Sequence, residues 1–373
     1  MRGLRVLYRM CVRGVGGEIV NDEAFNGMSS ALSPNCMLDR KVIDIHAHMF
    51  GTGDAVKGMF VSQEFFSSPA FSSMLMYLNT PPSAATDGKI RQVLLEEVES
   101  SGSIDYTVFL AMDGVYKNGK FVASETHLVV PNDYIIDLSR MNKRVLFGAS
   151  VHPYREVTEM LAAAKRCIDE GAALFMWSPS EQQINPEDDR CIPLYVCLAR
   201  EGIPLLVHTG VEFTARTTEF RADTCDDPRK LKTALDIGVK VIAAHCALPS
   251  GEDAMPGRGY WEVLLDMLRT AEEKKWDLYA DISACCMPSK IGYLERVKLE
   301  IEEGRISPKR FLYGSDFPMP AVDINDVKKP LTLNELIEHV SGQGNHLDNY
   351  YRILKDFGIH ESIFTNACDV LRL

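Results

Sequence analysis

Eight short runs of β-branched and apolar residues, each followed by a longer amphipathic segment, restrict the architectures open to this 373-residue chain. The runs are Val42 to His46, Tyr106 to Ala111, Val145 to Val151, Ala173 to Trp177, Pro204 to His208, Val239 to His245, Leu278 to Ile282 and Phe311 to Ser315. Runs this continuous suit strands buried on both faces, as parallel strands are. Alternation with helical segments such as Arg155 to Glu170 and Tyr260 to Lys275 is the pattern of repeated βα units. Eight such units close into a (β/α)8 barrel, the TIM-barrel architecture, with the helices forming an outer ring.

The barrel is expected over residues 41–373, preceded by an extension over residues 1–40 that lacks a clear period and carries Gly14, Gly16 and Gly17. The stretch from Phe50 to Ser103 is too long for a simple βα connection, and its Met, Phe and Ser content predicts an insertion folded over the barrel mouth. Leu331 to Val340 and Asn345 to Phe357 read as the closing helices. A hydrophobic fraction of 46% with 25% charged residues supplies a core for one large domain.

Net charge of −12 and a pI near 5.3 argue against nucleic acid or an anionic membrane as partner, because both require basic surface. Ten cysteines at irregular spacing form neither a zinc-finger pattern nor a disulfide framework, which points to a reducing, cytoplasmic setting. Arg5, Arg9 and Arg13 interrupt the apolar start of the chain too often for a secretory leader, and no apolar run is long enough for a membrane span. The expected partner is a small-molecule substrate, and the expected assembly a homodimer.

The chemistry gathers at the strand ends. His46 and His48 close Val-Ile-Asp-Ile-His-Ala-His, and residues two apart on a strand share a face, so both imidazoles can reach one ion. His208 closes Pro-Leu-Leu-Val-His, His245 closes Val-Ile-Ala-Ala-His, and Asp316 follows Phe-Leu-Tyr-Gly-Ser. In a barrel of this kind the C-terminal strand ends surround the active site. Five imidazole or carboxylate groups so placed, though scattered in sequence, point to a metal centre more strongly than the His-Ala-His pair alone.

These motifs resemble the amidohydrolase superfamily, specifically its amidohydrolase-2 branch, which includes aminocarboxymuconate-semialdehyde decarboxylase and related aromatic-acid decarboxylases, hydratases and lactonases. The resemblance rests on His-Ala-His, Leu-Val-His-Thr-Gly at His208, Ala-Ala-His at His245 and Tyr-Gly-Ser-Asp-Phe-Pro at Asp316, and extends to a closing Asn366-Ala367-Cys368-Asp369-Val370-Leu371. It implies one divalent ion held by His46, His48, His208 and Asp316. Binuclear relatives carry a bridging lysine on the fourth strand, and Phe175-Met176-Trp177-Ser178-Pro179 has none. Three imidazoles and a carboxylate suit zinc with one open position, and manganese or iron also fit. His245 is then left for proton transfer or carbonyl polarisation, and Asp316 for taking a proton from the nucleophilic water.

The expected reaction is hydrolysis of a C-O or C-N bond in a small carbonyl compound. The alternative is nonoxidative decarboxylation or hydration of an unsaturated or aromatic carboxylic acid. Paired arginines soon after His-Ala-His would favour the decarboxylase, and here that stretch offers Lys57 but no arginine before Arg91. A metal-dependent nuclease would want a glutamate on the fourth strand, which is absent, and a barrel retained only as a scaffold would be expected to lose part of the ligand set.

Candidate substrate contacts are His152, at the third strand end; Trp177, as an apolar wall or as core; and Arg216 and Arg221, which could fork onto a carboxylate or simply be solvated. Asp44 either orients a ligand or is a buried polar residue. Asp281 and Ser283 either line the site or cap a helix. Cys285 and Cys286 read as packing residues.

Overall fold

The computed structural model describes residues 40–210, 225–248, 259–286, 290–319 and 344–373. Within them eight parallel strands form one sheet: β1 (Ile43–His48), β2 (Tyr106–Leu110), β3 (Val145–Ala149), β4 (Leu174–Trp177), β5 (Leu205–His208), β6 (Val241–Ala244), β7 (Leu278–Asp281) and β8 (Phe311–Leu312). Each strand hydrogen-bonds to its neighbour in chain order. The sheet closes on itself where Ile45 N donates to Tyr313 O at 3.2 Å and His48 N to Phe317 O at 2.7 Å. All eight expected runs carry these strands, so the chain is a TIM barrel.

The strands are apolar on both faces because each is covered twice, by the barrel interior and by the helical ring. Helices of that ring include α1 (Asp87–Ser100), α2 (Asn132–Met141), α3 (Val157–Asp169), α4 (Ile192–Glu201), α5 (Lys232–Ile237), α6 (Tyr260–Thr270), α7 (Ile291–Glu302) and α8 (His346–Phe357). In α3, Met160, Ala164, Cys167 and Ile168 recur at helical spacing and are buried, while the intervening residues face outward. The predicted helix over Asn345 to Phe357 is α8, capped by the Asn345 side chain accepting from Asp348 N at 2.9 Å. The predicted helix over Leu331 to Val340 lies outside the described residues, as does the extension over residues 1–40 except for Arg40.

β8 is shorter than its apolar run, which reaches Ser315. The cause lies at Gly314, where a Cβ would come within 2.9 Å of the His46 Cβ, so the chain passes β1 at a distance only glycine permits. Ser315 then turns onto Asp44. Its amide donates to Asp44 Oδ1 at 2.9 Å and its hydroxyl to Oδ2 at 2.5 Å, while His46 N donates to the same Oδ1 at 3.1 Å. Asp44 is therefore the latch that joins β1 to the end of β8.

The insertion after β1 packs around an aromatic cluster in which the Phe50, Phe65 and Phe66 rings lie 5.6, 5.5 and 5.1 Å from Phe71. Asp87, at the start of α1, accepts from the amides of Thr52, Gly53, Ala55 and Val56 at 2.7 to 2.9 Å. One buried carboxylate thus satisfies four donors of the loop that follows the His-Ala-His strand. The short pairing of Phe60–Val61 with Leu128–Val129 ties this insertion to the segment after β2.

Candidate metal centre

Strand ends from opposite sides of the barrel bring five sequence-predicted groups together. His46 and His48 come from β1, His208 from the end of β5, His245 from just beyond β6 and Asp316 from just beyond β8. His46 Nε2 is 3.0 Å from His48 Nε2, and Asp316 Oδ1 is 3.1 Å from His48 Nε2 and 3.5 Å from His46 Nε2. The His208 ring centroid is 4.9 Å from that of His46 and 5.4 Å from that of His48. Ligand atoms of His46, His48 and His208 all fall within 4.8 Å of one another.

The spacings among His46, His48 and Asp316 fit a divalent ion. A bond of about 2.1 Å from metal to nitrogen or oxygen places neighbouring ligand atoms about 3.0 to 3.4 Å apart, depending on coordination number. Without a cation between them, two imidazole nitrogens and a carboxylate oxygen at these distances present converging lone pairs. His46, His208 and Asp316 are buried, and only His48 has part of its side chain, 24%, open to solvent.

Asp281 sets the proton positions. Its Oδ2 is 2.9 Å from His46 Nδ1, and a carboxylate only accepts, so Nδ1 carries the hydrogen and Nε2 turns its lone pair inward. Its Oδ1 accepts from the Ser283 hydroxyl, from Ser283 N at 3.0 Å and from His245 N at 2.8 Å. With its proton given to Asp281, Ser283 Oγ accepts from His245 Nδ1 at 2.9 Å. One carboxylate therefore fixes the tautomers of two imidazoles, the second through a hydroxyl. The Ser283 oxygen also fills the space among His46, His245 and Asp281, a second group of donors close enough for an ion, and makes that group a hydrogen-bond network instead.

Electrostatics separate the two imidazoles that share Asp281. Burial opposes charge on His46, but Asp281 and then Asp316 outweigh it and raise its pKa. Burial, then the neighbouring His208 and Lys290, push the His245 pKa well below the ordinary histidine value. His245 is thus neutral and protonated on Nδ1, and its Nε2 faces His208 Nδ1 at 3.4 Å. Burial works to raise the Asp281 pKa, but His46, Ser283 and the His245 amide overcome it and hold the group ionised.

The backbone is strained where these groups sit. His245 has φ of 57° and Asp316 φ of 65°, left-handed values that β-carbon-bearing residues adopt at a cost of about 1 to 3 kcal/mol. The turn at His245 aims its ring back across the barrel, and the one at Asp316 lets its amide donate to His46 O at 2.8 Å while its carboxylate faces His48.

The other candidate contacts separate. His152 is fully buried, Tyr154 N donates to its Nδ1 at 3.0 Å, and its Nε2 donates to Gln182 O at 2.8 Å. Trp177 is fully buried, donates from Nε1 to Val151 O at 2.9 Å and packs on Tyr195. Both have their polar atoms committed inside the protein. Arg216 and Arg221 lie outside the described residues. The joint role of Asp281 and Ser283 is what sequence reasoning missed. Its signal was present in Asp281-Ile282-Ser283, two polar residues at alternate positions ending a strand, like His46 and His48.

The described residues that are cysteines are free thiols, and among the described residues no helix is long and apolar enough to cross a membrane. No curated protein matches the chain. Among solved structures, 5-carboxyvanillate decarboxylase LigW from Sphingomonas paucimobilis is similar at 13% identity, with a TM-score of 0.52 over 90% of this chain and 99% of that one. An uncharacterised TIM-barrel protein from Bordetella bronchiseptica is similar at 18% identity, with a TM-score of 0.50 over 88% of this chain and 99% of that one. Likeness at these identities is one of fold. The amidohydrolase family model of the amidohydrolase-2 type matches residues 43–338, which spans β1 to β8 and every group of the cluster, and the chain belongs to that family.

Proposed function

We propose that this protein is a metal-dependent hydrolase acting on a C-O or C-N bond of a small carbonyl compound, with His46, His48, His208 and Asp316 holding one divalent ion. The observation that carries the reading is His245: a neutral imidazole whose Nε2 lies 3.4 Å from His208 Nδ1, beside the ligand cluster, and whose Nδ1 proton is anchored on Ser283, itself held by Asp281. When bound, the ion supplies Lewis acidity, lowering the pKa of water and polarising a carbonyl. Zinc suits three imidazoles and one carboxylate, and manganese or iron suits them as well.

The residues of the chain then divide the remaining work. His245 Nε2 accepts a proton from the attacking water, and the Asp281-Ser283 relay steadies the imidazolium so formed without itself being protonated. The same nitrogen returns that proton to the departing oxygen or nitrogen. Asp316 directs Oδ1 to the ligand cluster and Oδ2 to within 4.0 Å of His245 Nδ1, so its charge also favours the protonated imidazole.

Two measurements test this. Metal content of the purified protein is expected to be about one ion per chain and to fall sharply in H46A and D316N; full retention by both overturns the ligand assignment. A panel of lactones, amides and unsaturated or aromatic carboxylic acids, monitored for released acid and for carbon dioxide, tests the reaction. Carbon dioxide without addition of water replaces the hydrolase reading with a decarboxylase.

A further inference from the structure

The turn that carries His245 is a conformation its own residues disfavour. His245, Cys246 and Ala247 have φ of 57°, 52° and 51°, three consecutive residues with β-carbons in the left-handed region. Leu248 N donates to His245 O at 3.0 Å and closes the turn. With no glycine among the three, the conformation is imposed by the neighbours.

The peptide that joins Ala244 to His245 shows how. Ala244 has φ of −67° and ψ of 151°. Turning that peptide plane over would carry Ala244 into the helical region and return His245 to a negative φ, ordinary conformations for both. Each end of the plane is held against that rotation. The N–H of His245 donates to Asp281 Oδ1 at 2.8 Å, and the Ala244 carbonyl accepts from the Thr209 hydroxyl at 2.7 Å. Thr209 is buried and directly follows β5, while Asp281 ends β7, so the two strands flanking β6 grip one peptide from opposite sides. A flipped plane would lose both bonds and set a carbonyl oxygen against the Asp281 carboxylate, two acceptors with no proton between them. Gly210, the next residue, backs the same turn: a Cβ there would lie 2.9 Å from Leu248 O and 3.1 Å from the Ala247 carbonyl carbon. Its amide is tied down in turn, donating to Asp226 O at 3.1 Å.

We propose that Thr209 is a positioning residue for His245. Its hydroxyl pins the peptide before His245, so the imidazole keeps Nδ1 on Ser283 and Nε2 facing His208. The inference rests on the reading of His245 as the proton-handling group at the site. Because Thr209 adjoins His208 in the chain, one short segment both supplies a ligand of the cluster and fixes the imidazole beside it.

The Nδ1 proton of His245 reports the ring's placement without turnover. In zinc-loaded protein carrying isotopically labelled histidine, nuclear magnetic resonance is expected to show it as a slowly exchanging signal that vanishes in H245Q. T209V keeps the branched shape of the side chain and removes the donor. It is expected to speed exchange of that proton with water at least about tenfold, because an orphaned buried carbonyl favours the flipped peptide. T209S retains the hydroxyl and is expected to stay within about threefold of wild type. T209V is also expected to keep its zinc. Unchanged exchange in T209V overturns the proposal. So does equal acceleration in T209S, which would make methyl packing the cause, and so does loss of zinc from T209V, which would assign the hydroxyl to His208. If T209V does not fold, T209A takes its place with the same expectations. The two readings fail separately: faster exchange in T209V of a protein inactive on the whole panel sinks only the hydrolase, and hydrolysis by a protein whose His245 proton is indifferent to T209V sinks only the role of Thr209.

Discussion

Nδ1 of His46 lies 2.9 Å from Oδ2 of Asp281, and neither side chain has measurable exposure to solvent. The contact decides which imidazole nitrogen faces the ligand cluster, because a carboxylate can only accept. Replacing Asp281 by Asn would let the amide donate to His46 Nδ1 and favour the tautomer with its proton on Nε2, pointed at the ion. D281N is therefore expected to lose about 10- to 100-fold in metal affinity, measured by competition with a chelating dye. Unchanged affinity would mean that Asp281 does not orient His46.

His245 separates chemistry from metal binding. H245A is expected to retain its metal and lose about 10²- to 10⁴-fold in kcat, the usual share of a positioned general base. S283A leaves His46 bonded to Asp281 while breaking the relay to His245, so it should lower kcat with little effect on metal content. Kinetics and metal analysis on the same preparations check both, and loss of metal in H245A would make His245 a ligand instead.

The Asp44 latch predicts a stability effect. D44A leaves the Ser315 amide, the Ser315 hydroxyl and the His46 amide buried without their acceptor, each worth about 1 to 3 kcal/mol when orphaned. Some of that is recovered by local adjustment, so a loss of about 3 kcal/mol is expected in chemical denaturation. Stability equal to wild type would show that the barrel seam does not depend on this carboxylate.

Glu300 predicts a pH effect far from the metal. Its carboxylate is 1% exposed and receives forks from two guanidiniums, Arg269 at 2.8 and 3.1 Å and Arg305 at 2.9 and 3.0 Å. Burial would raise its pKa, but Arg305 and Arg269 outweigh burial and pull it down from 4.5 to about 2. A carboxylate depressed on folding stabilises the protein fully above its unfolded value of 4.5, and that contribution is lost as pH falls through about 2. Allowing for the partial exposure of both arginines, the contribution at neutral pH is about 2 kcal/mol. E300Q is expected to lower stability by that order at pH 7 and to flatten the acid limb between those values, read from denaturant midpoints across pH. An acid limb identical to wild type counts against it.

Most of the barrel and all five groups of the cluster were legible in the residue pattern, because a strand covered on both faces must be continuously apolar, and a polar residue that ends such a run must face the rim. His46, His48, His208, His245 and Asp316 each end a run in this way. Substrate contacts were less legible: His152 and Trp177 also close apolar strands, yet their ring nitrogens are taken up by Gln182, Tyr154 and Val151 inside the packed wall. Position at a strand end places a residue near the rim but says nothing about which neighbours reach it first.

The sequence by itself determined the period, the number of strands and the side-chain types at their ends, since these follow from local burial. Only the tertiary structure decided how those ends are used. Asp281 reaches both His46 and His245, and Ser315 turns onto Asp44. These relations join positions tens to hundreds of residues apart, or depend on left-handed turns such as those at His245 and Asp316 that no local pattern encodes. Closure of the sheet brings such residues within hydrogen-bonding distance, and that closure is a property of all eight strands together.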